Sequence, residues 1–224
     1  MTGSDAGNFR ARAAQTKRVR TRAQILDAVL VAYPGSDPSG AVVDDVVREA
    51  KISRATFYKH FTSLEEAVQE LTAQLSQEFA LMRASIYSDL TDPKFRAATG
   101  FQLFLSRAVI DPDWATFITH GHRLSRSNAL TSDMRKDLEA GFVSGDFSIP
   151  DLDIAVDLII GTKVEAMHQL RRVTAPRAYI ETMTSMFLRS LSIPPADADA
   201  TATMVAERLK KEGPELLSWW RPFD

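Results

Sequence analysis

The sequence predicts an all-α fold, and three observations carry that expectation. Apolar residues recur at intervals of three and four, most clearly in the run Leu64, Val68, Leu71, Leu75, Phe79, Met82 and Ile86. No stretch of useful length shows the two-residue alternation of a half-buried strand. Proline and glycine punctuate the runs, at Thr91-Asp92-Pro93, Asp111-Pro112-Asp113, Gly141 to Pro150, Thr174-Ala175-Pro176 and Pro194-Pro195. With 224 residues and 45% apolar content, the chain can bury one extended helical body or two small cores.

The elements follow in order. Arg10, Arg12, Lys17, Arg18, Arg20 and Arg22 stand between residues 10 and 22 with no acid among them. This basic stretch is expected to be a flexible arm over residues 1–20. Further on, Val42, Val43, Val46, Val47 and Ala50 take helical spacing within residues 41–50. Only Lys51-Ile52 separates that helix from the next, for which Ser53 is the N-cap. In the second helix Phe57 and Phe61 lie one turn apart and form an apolar stripe. Ala55 and Lys59 share the opposite face, flanked by Arg54 with Tyr58 and by Thr56 with His60.

Two short helices joined by such a turn, the second with an exposed polar face, form a helix-turn-helix. The exposed face has the chemistry of a helix lying in a DNA major groove. Arginine forks onto guanine, a methyl side chain touches the thymine methyl, and hydroxyls and cations hold phosphates. The candidate contacts are Ser53, Arg54, Ala55, Thr56, Tyr58, Lys59 and His60, joined by Arg18, Arg20 and Arg22 from the basic stretch. The charge split agrees: residues 1–62 carry 10 Lys and Arg against 6 Asp and Glu, while residues 63–224 carry 17 against 23. A net charge of −2 therefore hides a basic head on an acidic body.

The stretches Thr21-Arg-Ala-Gln-Ile-Leu-Asp-Ala and Val43-Asp-Asp-Val-Val-Arg-Glu-Ala-Lys-Ile-Ser-Arg-Ala-Thr-Phe-Tyr-Lys-His-Phe-Thr-Ser-Leu-Glu-Glu-Ala resemble the N-terminal domain of the TetR family of transcriptional regulators. The likeness covers residues 21–68, with the Thr-Phe-Tyr-x-His-Phe core as its most specific part. It implies a three-helix DNA-binding domain over 21–66, a long connector helix, and a helical ligand-binding and dimerisation domain over 67–224. It further implies a homodimer that represses transcription from a palindromic operator and lets go on binding a small molecule. Three anchors depart from the pattern. Lys51 replaces the usual turn glycine, Ala41 and Val42 replace Ser or Thr, and Leu64 stands where a lysine is common.

Beyond Phe61 the connector helix is expected to end near Asp89, followed by helices near 94–109, 113–120, 128–143, 152–173, 177–191 and 196–211. The helix at 94–109 is expected to bury Phe95, Phe101, Phe104, Leu105 and Val109. The pair 152–173 and 177–191 reads as an antiparallel hairpin, with Val156, Ile160, Val164, Met183, Phe187 and Leu191 as candidate dimer-interface residues. Candidate ligand-lining residues are Met82, Ile86, Phe101, Phe104, Trp114, Phe117, His120, Phe142, Met167 and His168. Their aromatic and methionine bias suits a mostly apolar ligand. Leu216-Leu217-Ser218-Trp219-Trp220-Arg221-Pro222-Phe223 holds two of the three tryptophans and is expected to be packed, on its own subunit or a partner.

Other classes find less support. The chain has no cysteine, nucleotide-binding glycine loop, Ser-x-x-Lys or nucleophile elbow, so no enzyme activity and no cofactor is expected. His120-Gly121-His122 turns its imidazoles apart on a helix, which argues against a metal site. Asp151, Asp153 and Asp157 complement a helix N-terminus instead. No apolar leader and no membrane-length run occurs, so a cytoplasmic protein with no membrane partner is expected. The alternative to an effector-controlled repressor is a constitutive or architectural DNA-binding regulator, suggested by the missing phosphate anchors and the basic stretch.

Overall fold

The computed structural model describes residues 4–33, 43–121 and 129–224, with side chains described over 12–33, 43–119 and 132–224. Ala41, Val42, His122 and the side chains of Arg10 and His120 lie outside the described residues. Ten α-helices and no strand occur among the described residues. The chain divides into two compact units between Gln74 and Leu75.

The first unit contains α1 (Ser4–Ala32), α2 (Val43–Glu49), α3 (Arg54–Tyr58) and the opening turns of α4 (Leu64–Ile86). Its core is Ile25 and Val29 of α1, Val46 of α2, Phe57 and Phe61, and Ala67 and Val68 of α4, each at most 3% exposed. Residues 4–20, expected as a flexible arm, are continuous helix with the rest of α1. The local reason is composition: Ala, Arg, Lys and Gln are good helix formers, and no proline or glycine interrupts residues 8–32. Residues 12–20 are exposed throughout.

The turn between α2 and α3 is closed by its own backbone. Ile52 N–H donates to the Val47 carbonyl at 3.0 Å and Lys51 N–H to the Arg48 carbonyl at 3.2 Å, the two bonds of a Schellman motif. That motif needs a left-handed residue, and Lys51 supplies it with φ 52°. Lysine tolerates this conformation less well than glycine. Lys51→Gly is therefore expected to raise the stability of the first unit by about 1 kcal/mol, read as an upward shift of its urea midpoint.

The second unit contains the rest of α4, then α5 (Pro93–Ile110), α6 (Pro112–Gly121), α7 (Ala129–Ser144), α8 (Leu152–Leu170), α9 (Pro176–Ser190) and α10 (Pro195–Leu216). Helix α5 is central: every residue from Phe101 to Ala108 is buried, and α6, α7, α8, α9 and α10 all pack against it. Phe95 and Val109, expected to be buried, are half-buried near its two ends. Helix starts follow local chemistry. Asp92 and Asp151 cap α5 and α8 by accepting backbone N–H bonds, while Pro93, Pro176 and Pro195 open their helices.

An ion network crosses this unit. Asp137 of α7 accepts from Arg83 Nη1 at 2.6 Å, and from Arg96 Nε and Nη2 at 3.1 and 2.8 Å. Both guanidiniums stand over the Tyr87 ring, at 5.0 and 4.6 Å from its centroid. The Tyr87 hydroxyl donates to the Arg96 carbonyl at 2.5 Å. The aromatic terminus folds onto its own unit. Leu217 and Trp220 are buried, and Trp219 Nε1–H donates to Met82 Sδ. The Trp220 ring fills the space a Cβ at Gly213 would need, 2.6 Å away, so α10 requires glycine there.

Candidate nucleic-acid interface

Helix α3 owes its start to Ser53, whose Oγ accepts the Thr56 backbone N–H at 3.1 Å and lies 2.9 Å from Thr56 Oγ1. Both hydroxyls, expected as phosphate contacts, thus spend bonding capacity on the helix itself. Phe57 and Phe61 are 0% and 1% exposed, with ring centroids 5.8 Å apart, and pin the helix to the unit's core. The helix spans only Arg54–Tyr58; Lys59 is its C-cap, and His60 N–H donates to the Phe57 carbonyl at 2.8 Å in the following turn. Arg54, Ala55, Tyr58 and Lys59 face outward, while Thr56 and His60 are half-buried. Arg54 pairs with Asp44 of α2 at 3.3 Å, with both side chains more than half exposed. Such a pair costs little to exchange for a base edge.

Arg18 and Arg20 are exposed on α1. Arg22 is not available in the same way. Its guanidinium lies 4.0 Å over the Phe61 ring, donates from Nε to Glu70 Oε1 at 2.8 Å and from Nη2 to Glu70 Oε2, and from Nη1 to the His60 carbonyl. This corrects the expectation for Arg22. A bidentate carboxylate and an aromatic face already hold its planar fork, so it ties α1 to α4 and to the turn that follows α3. At the start of α4, part-buried Leu64 is followed by Glu65 and Glu66, and Glu66 accepts from both the N–H and the hydroxyl of Thr62 at 2.6 Å. That end of α4 therefore offers carboxylates where a phosphate contact would want a cation.

Burial first, then the positive fields of Arg18 and Arg22, lowers the His60 pKa below its ordinary value. Its Nδ1 is buried without a hydrogen-bond partner. A depressed histidine stabilises the fold while both states are neutral. That contribution is complete above the unfolded value of about 6.5 and is lost as pH falls from there toward the folded value. Urea midpoints of the first unit should fall as the pH drops below about 6.5 in the wild type. They should fall less in His60→Asn.

The remaining sequence expectations divide by burial. Ile86, Phe101, Phe104, Trp114, Phe117 and Met167 are all buried in the second unit, where Phe79, Phe104 and Trp114 form one aromatic cluster with centroids 5.0 to 6.4 Å apart. Met82 is half-buried under Trp219. Phe142 is 53% exposed and His168 is exposed, so neither lines that interior; each sits on the outer face of its helix. A separate cavity of about 220 Å³ lies among α5, α9, α10 and the terminal segment, lined in part by Ser106, Arg177, Ile180, Trp220 and Phe223. None of the expected lining residues borders it. On the hairpin helices, Val156, Phe187 and Leu191 are buried in their own subunit, and Ile160, Val164 and Met183 are half-buried. The first three are therefore corrected as interface residues, since the subunit's own core already covers them, Phe187 by stacking on Phe101 of α5 at 4.8 Å. The exposed apolar residues are Ile154 and Leu158 of α8 and Met186 of α9, at 66, 55 and 59%. Among the described residues no group of three or more metal-ligating side chains gathers, and no helix is long and apolar enough to cross a membrane.

The architecture has close counterparts among solved structures. RolR in complex with resorcinol superposes with a TM-score of 0.65 at 20% identity, over 84% of this chain and 96% of that one. A tetR-family transcription regulator from Shewanella sp. PV-4 gives 0.61 at 19% identity, over 76% and 97%. The chain has the TetR fold. A γ-butyrolactone receptor (ArpA-like protein) shares this TetR fold, with a TM-score of 0.60 at 14% identity over 86% of this chain and 98% of that one. No family model and no curated protein sequence matches the chain.

Proposed function

We propose that this chain is a sequence-specific DNA-binding transcription regulator. It acts as a homodimer that represses from a palindromic operator and is released by a small molecule. The carrying observation is the outward face of α3, where Arg54, Ala55, Tyr58 and Lys59 are exposed on a helix clamped from behind by two buried phenylalanines. Exposed Arg18 and Arg20, with Arg18 near enough to depress the His60 pKa, extend the cationic surface. Ile154, Leu158 and Met186 leave apolar area open on the hairpin helices, which supports pairing of two copies there. In such a dimer the two α3 helices would stand ~34–36 Å apart to enter successive major grooves. RolR takes resorcinol in the same fold, and the buried aromatic cluster of this chain suits a ligand with an apolar body. No catalytic role is assigned.

Selection from genomic fragments with the purified protein, followed by titration of the best site at two salt concentrations, tests this reading. A palindromic site bound at least ~10³-fold more tightly than random DNA is the expected result. The second reading, constitutive or architectural binding, draws on Glu65 and Glu66 at the α4 start and on the cationic extension of α1. Its signature is a steep salt slope with no preferred sequence.

A further inference from the structure

We infer that Lys163 is the anion anchor of the second unit, and that its ligand is a small arylcarboxylate or a molecule of equivalent shape and charge. This rests on the regulator reading only for its consequence at DNA; binding stands alone. Arg83 and Arg96 share Asp137, and Asp133 pairs with Arg83 at 2.9 Å and with Lys136 at 3.4 Å, so three cations already draw on these two carboxylates. Lys163 of α8 adds a further cation, with no carboxylate within ion-pair distance among the described residues. Its Nζ is 3.6 Å from Met134 Sδ, 4.9 Å from the Phe104 centroid and 5.7 Å from that of Phe101. A thioether and two ring faces attract an ammonium but cannot replace its water or balance its charge.

The surroundings agree. Burial first, then Arg83, brings the Lys163 pKa down to about 8 against the opposing field of Asp137, which leaves the group cationic at neutral pH without a directly bonded counter-charge. Lys163 is half-buried as a residue, so solvent reaches part of it. A carboxylate at Nζ would supply the missing counter-charge, and an aryl body would meet Phe101 and Phe104. The apolar character expected from the sequence then describes the body of the ligand, and Lys163 selects its charged end.

The test compares benzoate, phenylacetate and cinnamate with the matching uncharged alcohols by calorimetric titration of the full chain. The wild type is expected to bind at least one acid tenfold or more tightly than its alcohol, and Lys163→Met to erase that preference while keeping the alcohol affinity. Lys163→Gln guards against a packing artefact and should behave alike. The inference is overturned if no acid is preferred, or if Lys163→Met retains the preference. A parallel DNA-release assay separates the two readings. Lys163-dependent acid binding that leaves DNA affinity unchanged upholds the site and counts against effector control. Release by an uncharged compound alone upholds effector control and overturns the anion anchor.

Discussion

Arg54→Ala is expected to weaken binding to the preferred DNA site by about 5- to 150-fold per half-site, from the ~1–3 kcal/mol that a bidentate arginine–guanine contact contributes to discrimination. In a two-fold complex the loss occurs twice, so the full operator should suffer roughly the square of that factor. Affinity for random DNA should fall far less, because Arg54 is one exposed cation among several and is already partnered by Asp44. Lys59→Ala provides the contrast: an exposed cation at the helix C-cap should weaken operator and random DNA together and reduce the salt slope by about one. Titrations of both variants on both DNAs check the pair. Equal losses on the two DNAs for Arg54→Ala would remove the base-reading role assigned to it.

Asp137→Ala is expected to destabilise the second unit by about 3 kcal/mol, toward the lower end of what breaking a buried ion pair costs. The carboxylate is 10% exposed and accepts from two guanidiniums. Removing it leaves Arg96 with the Leu90 carbonyl and Arg83 with Asp133 alone. The figure is moderated because Arg96 is nearly a third exposed, so water takes over part of its solvation. Trp114, Trp219 and Trp220 all lie in the second unit, so tryptophan fluorescence in a urea titration reports on it directly. The midpoint should fall with an unchanged slope. Asp133→Ala should cost less, since Asp133 is more exposed and Arg83 would keep Asp137.

The helical periods of the sequence were legible because each element carries its own stop signals. Pro93, Pro112, Pro176 and Pro195 all open helices within a residue or two of where the punctuation places them. The recognition helix was legible for a different reason: Phe57 and Phe61 mark the inner face, which leaves Arg54, Ala55, Tyr58 and Lys59 facing out. Arg22 was not. In sequence it belongs with Arg18 and Arg20, and only Glu70, 48 residues away, takes it out of their company. Lys163 was equally hidden, because a lysine within an amphipathic helix ordinarily lies on a solvated face. What sets it apart is the placement of Phe101, Phe104 and Met134 around its ammonium by two other helices.

By itself the sequence determined the all-α class, the order of the helices and their approximate ends except the start of α1, and the helix-turn-helix with its exposed polar face. These depend on periodicity, caps and turns, interactions that span a few residues and are written locally. The tertiary structure decided which apolar faces are already used and which charges are already paired. Val156, Phe187 and Leu191 went inward, while Ile154, Leu158 and Met186 stayed out. Among the basic residues, Arg22, Arg83 and Arg96 found carboxylates, and Lys163 did not. Burial and pairing are relations between helices far apart in the chain, and a single helix's pattern cannot say which neighbour will cover it or neutralise it.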